Sequence, residues 1–282
     1  MRSLLWFTKF LKGLDAERVG AAAARAGFDG LDLAIRPGQC VQPSDARRTL
    51  PEAMAVWRSQ GLRVELATLP GDAIDPGDPD TRGTLEACAD AGIRLVKLGY
   101  WTWQPGEDYW KRVDAITAAL AGFEAIARRL GITVLVHTHS DRYYGANAAG
   151  AALLVRRFDP KHVGIYLDPC HLALDGEPLD LALAIAGGHL AMVAVKNAHL
   201  LPAQRDAGGQ RWTQDWCAAS EGLVHWGDAL RALDAVGYRG PLSLHGEYSQ
   251  SEEREAVTRL VCEDLAFIRS LTPAQALAQG AR

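Results

Sequence analysis

Four short apolar segments of this sequence each end abruptly in ionisable or amide side chains. The clearest runs from Val163 to Leu167 and is followed at once by Asp168 and, three residues later, by His171. Continuous Val, Ile and Leu is typical of a strand buried on both faces of a parallel sheet. Charged groups at the carboxyl end of such a strand serve no packing purpose, and that end is where α/β folds place their chemistry.

The other three segments repeat this arrangement. They end in His137 and His139, in Lys196 and Asn197, and in His245 and Glu247. His137 and His139 have the same parity along their strand, so both side chains point to one side of it, while Val134 and Val136 point to the other. Four strands that end in this way predict one shared active site.

Strand and helix patterns alternate eight times along the chain. The earlier strands are predicted near Leu4–Thr8, Gly30–Ile35, Leu62–Leu69 and Ile93–Leu98. The helices are predicted near Asp15–Ala26, Ser44–Ser59, Pro79–Ala91, Glu107–Leu130, Asn147–Arg157, Pro178–Ala186, Trp226–Val236 and Ser251–Leu271. Ser44 is the predicted N-cap of the second helix.

Glycines that directly follow five predicted helices mark where those helices end. They are Gly27, Gly61, Gly92, Gly131 and Gly237, each expected in the left-handed conformation. Eight strand–helix units in about 250 residues predict a single (β/α)8 barrel over residues 1–271, with a C-terminal tail over 272–282. A doubly wound sheet is the alternative. The long segment from Ala198 to Val224 is predicted to be a functional loop.

Composition and charge limit the partners and the cellular location that we expect for this chain. The formal net charge is −4 and no basic stripe is present, so nucleic acid is not an expected partner. The five cysteines are scattered and form no CxxC pair, which fits a reducing cytoplasm. The start of the chain is too short and polar for a signal sequence, and no apolar run is long enough to span a membrane.

Further side chains near the strand ends are candidates for substrate binding. Arg36 follows the second strand and Lys97 ends the fourth, where each could hold a hydroxyl or polarise a carbonyl; a structural ion pair is the alternative. Trp101 and Trp103 could stack on a sugar ring, or they could simply cap the barrel core. The remaining candidates for contacts with a sugar are Arg142, Tyr144 and Glu221.

At these residues the chain resembles the sugar phosphate isomerase/epimerase superfamily, the xylose isomerase-like barrels that include endonuclease IV-type enzymes. The likeness covers nearly the whole chain. It is based on Gly27-Phe-Asp-Gly-Leu-Asp-Leu, His137-Thr-His139, Asp168-Pro-Cys-His171, Val193-Ala-Val-Lys-Asn, Ser220-Glu-Gly-Leu-Val and Gly240-Pro-Leu-Ser-Leu-His-Gly-Glu-Tyr. The resemblance implies a barrel enzyme that moves a proton beside the carbonyl of a sugar.

The resemblance also implies a divalent metal, held by Glu, Asp, His and Glu on strands five to eight, with the two glutamates acting as acid and base. This chain keeps Asp168, and has His137, Ala194 and His245 at the other positions. His137, Asp168 and His245 are then the candidate metal ligands, a set that suits Mn, Zn, Co or Fe better than Mg or Ca. Alternatively no metal is bound, and the histidines act directly as acid and base. No nucleotide cofactor is expected.

Two classes of function remain. The first is a sugar or keto-sugar isomerase/epimerase, or a lyase/hydratase that removes water from a keto-sugar or inosose through the same enolate. Glu247 or His137 would be its base. His139 or His171 would be the partner acid, and Lys196 or the metal would stabilise the enolate oxygen. The second is a barrel that binds a carbohydrate without turnover, an option raised by the loss of both family glutamates. A homo-oligomer stays open.

Overall fold

The computed structural model describes residues 2–271, so the predicted tail over 272–282 lies outside the described residues. The strands are β1 (Leu4–Phe7), β2 (Gly30–Ala34), β3 (Arg63–Thr68), β4 (Leu95–Lys97), β5 (Thr133–His137), β6 (Val163–Leu167), β7 (Leu190–Val195), β8 (Asn197–Asp206), β9 (Gly209–Cys217) and β10 (Leu242–Leu244). The helices are α1 (Ala16–Ala26), α2 (Ala46–Ser59), α3 (Pro79–Asp90), α4 (Tyr109–Leu130), α5 (Ala148–Val155), α6 (Pro169–Leu174), α7 (Leu179–Ala186), α8 (Trp226–Ala235) and α9 (Arg254–Leu271).

Eight of these strands close into a barrel. Their order is β1-β10-β7-β6-β5-β4-β3-β2, and every neighbouring pair inside the ring is parallel. The (β/α)8 prediction is confirmed, and the doubly wound alternative is excluded because the ring is closed. In the described part of the chain, no helix is both long and apolar enough to cross a membrane.

The alternation of side chains along the strands divides the apolar residues into two cores. The barrel interior is filled by Leu5, Leu66, Leu135, Tyr166, Met192 and Ala194. Val134 and Val136 belong instead to the larger core between the strands and the helices. His137 therefore continues the inward row of Leu135, as its parity predicts.

The ends of the helices follow local chemistry. The five predicted glycine stops are confirmed, with φ between 65° and 89°. The predicted cap at Ser44 is wrong, because Ser44 lies inside a short 3-10 turn, Pro43–Asp45, and α2 begins after that turn. Helix α6 was not predicted. It starts directly after β6, where the Asp168 carboxylate caps it by accepting the N–H groups of Cys170 and His171.

The segment between β7 and α8 is not an irregular loop. It is an antiparallel hairpin in which β8 pairs with β9 from Asn197↔Cys217 out to Asp206↔Gly209. The returning strand brings Trp216 back to the barrel mouth, where its ring centre lies 4.4 Å from Nζ of Lys196. The segment that was predicted to be a functional loop thus has a regular structure of its own, given by cross-strand pairing.

Candidate active site

A small cavity opens at the carboxyl ends of the barrel strands, with a volume of about 120 Å³. Its walls come from residues that lie far apart in the sequence but that parallel strands bring to one rim. The cavity is lined by Phe7, Lys9, Arg36, Thr68, Lys97, Tyr100, His137, His139, Tyr166, Lys196, His245 and Glu247.

A buried carboxylate lies beneath the cavity floor. Asp32 accepts three hydroxyl hydrogen bonds, from Thr68 at 2.6 Å, Ser243 at 2.7 Å and Tyr166 at 3.2 Å. Burial raises the pKa of Asp32 to about 6, although these hydrogen bonds oppose the rise. The Tyr166 proton is directed to Asp32, so its oxygen is free to accept a second hydrogen bond.

That second hydrogen bond fixes the tautomer of His245. The Tyr166 oxygen lies 2.8 Å from Nε2 of His245, which we therefore assign as the protonated nitrogen. Nδ1 is then the basic nitrogen. Burial, helped by the charge of Lys196, lowers the pKa of His245 to about 3, so the ring is neutral at physiological pH.

Lys196 lies at the centre of the upper network. Its ammonium donates to Oε2 of Glu247 and to Nε2 of His171, both at 2.8 Å, and lies 3.5 Å from Oδ2 of Asp168. Burial lowers the pKa of Lys196, but the carboxylates of Glu247 and Asp168 outweigh this, and the pKa is raised above its ordinary value. The side chain is therefore a fixed cation.

His171 supports this cation. Its Nε2 accepts from Lys196, so Nδ1 carries the proton and donates to Oγ of Ser140 at 2.8 Å. Both ring nitrogens are thus engaged inside the protein. The predicted role of His171 as an acid is not what this geometry favours; it positions the Lys196 ammonium.

Several buried polar atoms around the cavity have no hydrogen-bond partner among the described residues. Two of them, Nε2 of His137 and Oδ2 of Asp168, lie 3.7 Å apart. The other nitrogen of His137 lies 2.8 Å from the hydroxyl of Tyr100. Burial holds the pKa of His137 well below its ordinary value. A neutral imidazole beside an unpartnered carboxylate oxygen is a pair that a substrate hydroxyl would satisfy.

His139 adds a further basic nitrogen. Its Nδ1 donates to the backbone carbonyl of Ser140 at 3.0 Å, which leaves Nε2 unprotonated. Burial and the charge of Lys196 lower the pKa of His139 to about 4. The ring centre of His137 lies 6.3 Å from that of His139 and 5.8 Å from that of His245.

The site is built on a barrel that a known protein family shares. Residues 21–271 match the family described as xylose isomerase-like TIM barrel. The chain belongs to this family. By sequence, it matches none of the curated proteins.

Three solved structures of sugar epimerases share the fold of this chain. D-allulose 3-epimerase from Methylomonas sp. is 18% identical, with a TM-score of 0.71 over 96% of this chain and 98% of that one. D-psicose 3-epimerase from Clostridium cellulolyticum is 15% identical, with a TM-score of 0.71 over 95% and 99%. The 3-keto-D-glucoside 4-epimerase from E. coli is 18% identical, with a TM-score of 0.71 over 96% and 100%. At these identities the likeness shows the fold.

The side chains at the predicted metal site of this chain do not fit the divalent metal that the resemblance implies. Across residues 2–271, one group of three His, Cys, Asp or Glu side chains has ligand atoms within 4.8 Å of one another. It consists of His199, Cys217 and Glu221 at the base of the hairpin. His137, Asp168 and His245 do not form such a group. Ala194 offers no donor atom on β7. The ammonium of Lys196, 3.5 Å from Asp168, already supplies positive charge to the carboxylate that a metal would need.

The structure brings most of the predicted catalytic residues together. His137, His139, Lys196, His245 and Glu247 all line the cavity, as do Arg36 and Lys97. Asp168 and His171 lie directly behind Lys196.

The remaining predicted sugar contacts do not line the cavity. Trp101 is buried in the outer core, and Tyr144 is buried with its hydroxyl donating to Glu107. The guanidinium of Arg142 lies over the Trp103 ring, 5.8 Å from its centre, and Glu221 pairs with His199 at 3.8 Å. These residues follow the strands in sequence, but their backbones turn away from the barrel axis.

Tyr100, expected with Trp101 and Trp103 in an aromatic rim, does line the cavity, but sequence reasoning missed Lys9, Asp32 and Tyr166 as members of the site. Tyr166 and Asp32 lie within apolar strands, and parity with Asp168 and with the inward row would have placed both inside the barrel. Lys9 lies in a short 3-10 turn after β1, and no local pattern marks it.

Proposed function

We propose that this chain is an isomerase or epimerase of keto-sugars that moves a proton beside the carbonyl with imidazoles in place of the glutamates of its family. One observation supports this most. Two neutral imidazoles with an unprotonated nitrogen, His139 and His245, line the same cavity of about 120 Å³ as the fixed ammonium of Lys196. A base and a cation for the enolate oxygen are the two groups that this chemistry needs.

The base takes the proton from the carbon next to the carbonyl. Negative charge then develops on the carbonyl oxygen as the enediolate forms. An ammonium has three N–H groups, and Lys196 uses two of them on Glu247 and His171. The third is available for the substrate oxygen, in a buried site where the charge is only weakly screened.

Return of the proton decides the product. The imidazole that took the proton can deliver it to the neighbouring carbon, which gives an isomer and returns that imidazole to its neutral form. Delivery to the original carbon from the other side gives an epimer, and it requires that the second imidazole first take a proton from solvent while the first later releases its own. His139 and His245 both line the cavity. The unpartnered Nε2 of His137 and Oδ2 of Asp168 would bind a substrate hydroxyl and orient the sugar.

Glu247 is less suited to be the base. Its Oε2 accepts from Lys196 at 2.8 Å and its Oε1 from Lys9 at 3.0 Å. Although burial raises the pKa of Glu247, the two ammonium groups outweigh it and hold the pKa well below its ordinary value. A carboxylate stabilised in this way has little affinity for a substrate proton. Its proposed role is to fix Lys196.

Proton exchange with solvent tests the proposal without knowledge of the product. The protein is incubated in D2O with D-fructose, D-allulose, D-ribulose and their acid analogues, and the signal of the hydrogen beside each carbonyl is followed by NMR. Loss of that signal, with new signals of an isomer or epimer, is the expected result. His245→Asn should lower the exchange rate by about 100-fold or more.

A matched control is His225→Asn. His225 caps α8 at the surface, and asparagine is itself a good N-cap, so this variant should exchange at the wild-type rate. Absence of exchange on every sugar would overturn the proposal in favour of a binding protein. Signals of a dehydrated product would replace the isomerase with a lyase that forms the same enolate.

A further inference from the structure

The cavity contains more positive than negative charge. Four basic side chains line it, Lys9, Arg36, Lys97 and Lys196, and Glu247 is the carboxylate among the lining residues. Both oxygens of Glu247 are already paired, one with Lys9 and one with Lys196. Arg36 and Lys97 are therefore left without a carboxylate in the cavity wall.

Lys97 is almost completely buried yet has no hydrogen bond. Its side chain is 1% exposed, and Nζ finds no hydrogen-bond partner among the described residues. Its nearest feature is the ring of Tyr100, whose centre lies 3.3 Å away. A cation–π contact offsets only part of the cost of removing an ammonium from water. Burial and the charge of Arg36 hold the pKa of Lys97 well below its ordinary value, although Asp32 opposes this, and a bound anion would favour the ammonium form.

Arg36 is in the same position on the neighbouring wall. Its Nε is buried and has no partner in the described part of the chain, and its guanidinium lies over the Phe7 ring, 5.3 Å from its centre. The guanidinium thus presents a donor edge that the protein itself does not use.

The nearest buried acid does not satisfy either basic side chain. Asp32 already accepts hydrogen bonds from Thr68, Ser243 and Tyr166 below the floor. It supplies distant attraction to Lys97 but no hydrogen bond. Buried side-chain donors without an acceptor are rare in proteins unless a ligand completes them.

We propose that Arg36 and Lys97 form a subsite for an anionic group of the substrate, so that the sugar is a keto-sugar acid. The inference rests on the function proposed above and specifies its substrate class. A carboxylate is favoured over a phosphate because the cavity is small and because the two N–H groups on one edge of a guanidinium match the two carboxylate oxygens. The anion would pair with the Arg36 guanidinium and favour the ammonium form of Lys97, while the carbonyl end of the molecule faces Lys196.

Ligands without a carbonyl separate binding from catalysis. D-glucitol, D-gluconate and D-glucitol 6-phosphate share one carbon chain and cannot undergo the proposed proton transfer. Titration calorimetry at low salt should give tighter binding of D-gluconate than of D-glucitol by about tenfold or more. Preference for D-glucitol 6-phosphate would keep the anion subsite and change the anion. Equal binding of all three would overturn the subsite, even if exchange in D2O shows that the enzyme is active.

Two variants test the assigned residues. Lys97→Met and Arg36→Gln should reduce D-gluconate binding to the level of D-glucitol and leave D-glucitol binding unchanged, whereas Lys161→Met and Arg157→Gln at the surface should have no effect. Because Lys97 ends in a buried polar group without a hydrogen-bond partner in the described part of the chain, Lys97→Met should also raise the melting temperature of the ligand-free protein. A lower melting temperature together with a retained preference for D-gluconate would assign Lys97 a structural role and refute the subsite.

Discussion

The phenol oxygen of Tyr166 lies 2.8 Å from Nε2 of His245, at the floor of the cavity. The Tyr166 hydroxyl donates its hydrogen bond to Asp32, and this fixes which nitrogen of His245 is protonated. The hydrogen-bonded series of Asp32, Tyr166 and His245 orients the imidazole ring and would stabilise the imidazolium after proton transfer. A carboxylate has the same role for the histidine of a hydrolase triad. Tyr166 is therefore a positioning residue.

Tyr166→Phe should lower kcat by about 10- to 100-fold with little change in KM, because the substrate does not need the hydroxyl but the base does. Imidazole ¹⁵N chemical shifts should show His245 change from one tautomer to a mixture. Tyr109→Phe, at a half-exposed ring outside the cavity, is the control. An unchanged tautomer in Tyr166→Phe would contradict the assignment.

The pH dependence of activity should not show the usual histidine titration. The pKa of His245 is lowered to about 3 and that of His139 to about 4, so both bases remain unprotonated well below pH 6. We expect kcat/KM for proton exchange to show no loss from protonation of these two imidazoles between pH 8 and about pH 5. An acid limb near pH 6 would come from Asp32, whose pKa is raised to about 6. Imidazole ¹⁵N chemical shifts distinguish the two sources, and protonation of His139 or His245 near pH 6.5 would refute their assignment as bases.

The free energy of unfolding, unlike the activity, should fall as the pH is lowered through the ordinary histidine range. Between about pH 4 and pH 6.5 the unfolded chain binds protons at His139 and His245 that the folded protein does not, so unfolding becomes easier as pH falls. Each histidine should cost about 2 kcal/mol between pH 7 and pH 5. Asp32, with its pKa raised to about 6, acts in the other direction and offsets part of this loss.

Urea unfolding at pH 7 and pH 5 measures this effect. The wild-type free energy of unfolding should fall between the two pH values, and His245→Asn should lose about 2 kcal/mol less than the wild type. His225→Asn, exposed at the start of α8, should lose as much as the wild type. Equal wild-type stability at both pH values would be the contrary finding.

The barrel could be predicted because its signals are local. Apolar runs gave the eight barrel strands, and left-handed glycines such as Gly27 and Gly131 gave the helix ends. The hairpin was missed because its strands are mostly exposed and polar, so neither face shows an apolar row. Strand pairing between β8 and β9 compensates for that weak pattern.

The site could be predicted only in part, for a different reason. Parallel strands bring their ends together whatever the intervening sequence, so His137, Asp168 and His245 could be expected at one rim. Parity does not say how a side chain leaves the rim once the strand has ended. Trp101 and Tyr144 lie beyond their strands, and the packing of the outer core decided their direction.

The ion pair between Lys196 and Glu247 should be strongly coupled, because Lys196 is almost fully buried. Lys196→Met and Glu247→Gln should each lower the free energy of unfolding by about 3 kcal/mol, since each leaves a buried charge without its partner. The double variant should lose clearly less than the two single variants together. Urea unfolding of all four proteins gives the coupling energy.

The exposed pair Arg128 and Glu124 on α4 is the matched control for this cycle. Its coupling should be about 0.5 kcal/mol. A coupling as small as that for Lys196 and Glu247 would mean that the ammonium is not fixed by the carboxylate, and the role proposed for Glu247 would fail.

Metal removal should leave activity unchanged. Lys196 provides the positive charge beside Asp168, and Ala194 provides no ligand, so among the described residues His137, Asp168 and His245 do not come together as a set of three ligands for a divalent cation. Protein dialysed against EDTA should exchange protons in D2O at the untreated rate, and added Mn²⁺, Co²⁺ or Zn²⁺ should not increase it. Elemental analysis of the same samples verifies that the metal has been removed.

Metal bound elsewhere can be recognised in the same experiment. His199, Cys217 and Glu221 gather within 4.8 Å at the base of the hairpin, outside the cavity wall. Metal that is lost in His199→Asn while exchange continues would belong to that cluster. Metal that is lost in Asp168→Asn, together with activity that EDTA abolishes and Mn²⁺ restores, would place a cation in the cavity. Lys196 would then no longer be the group that stabilises the enediolate.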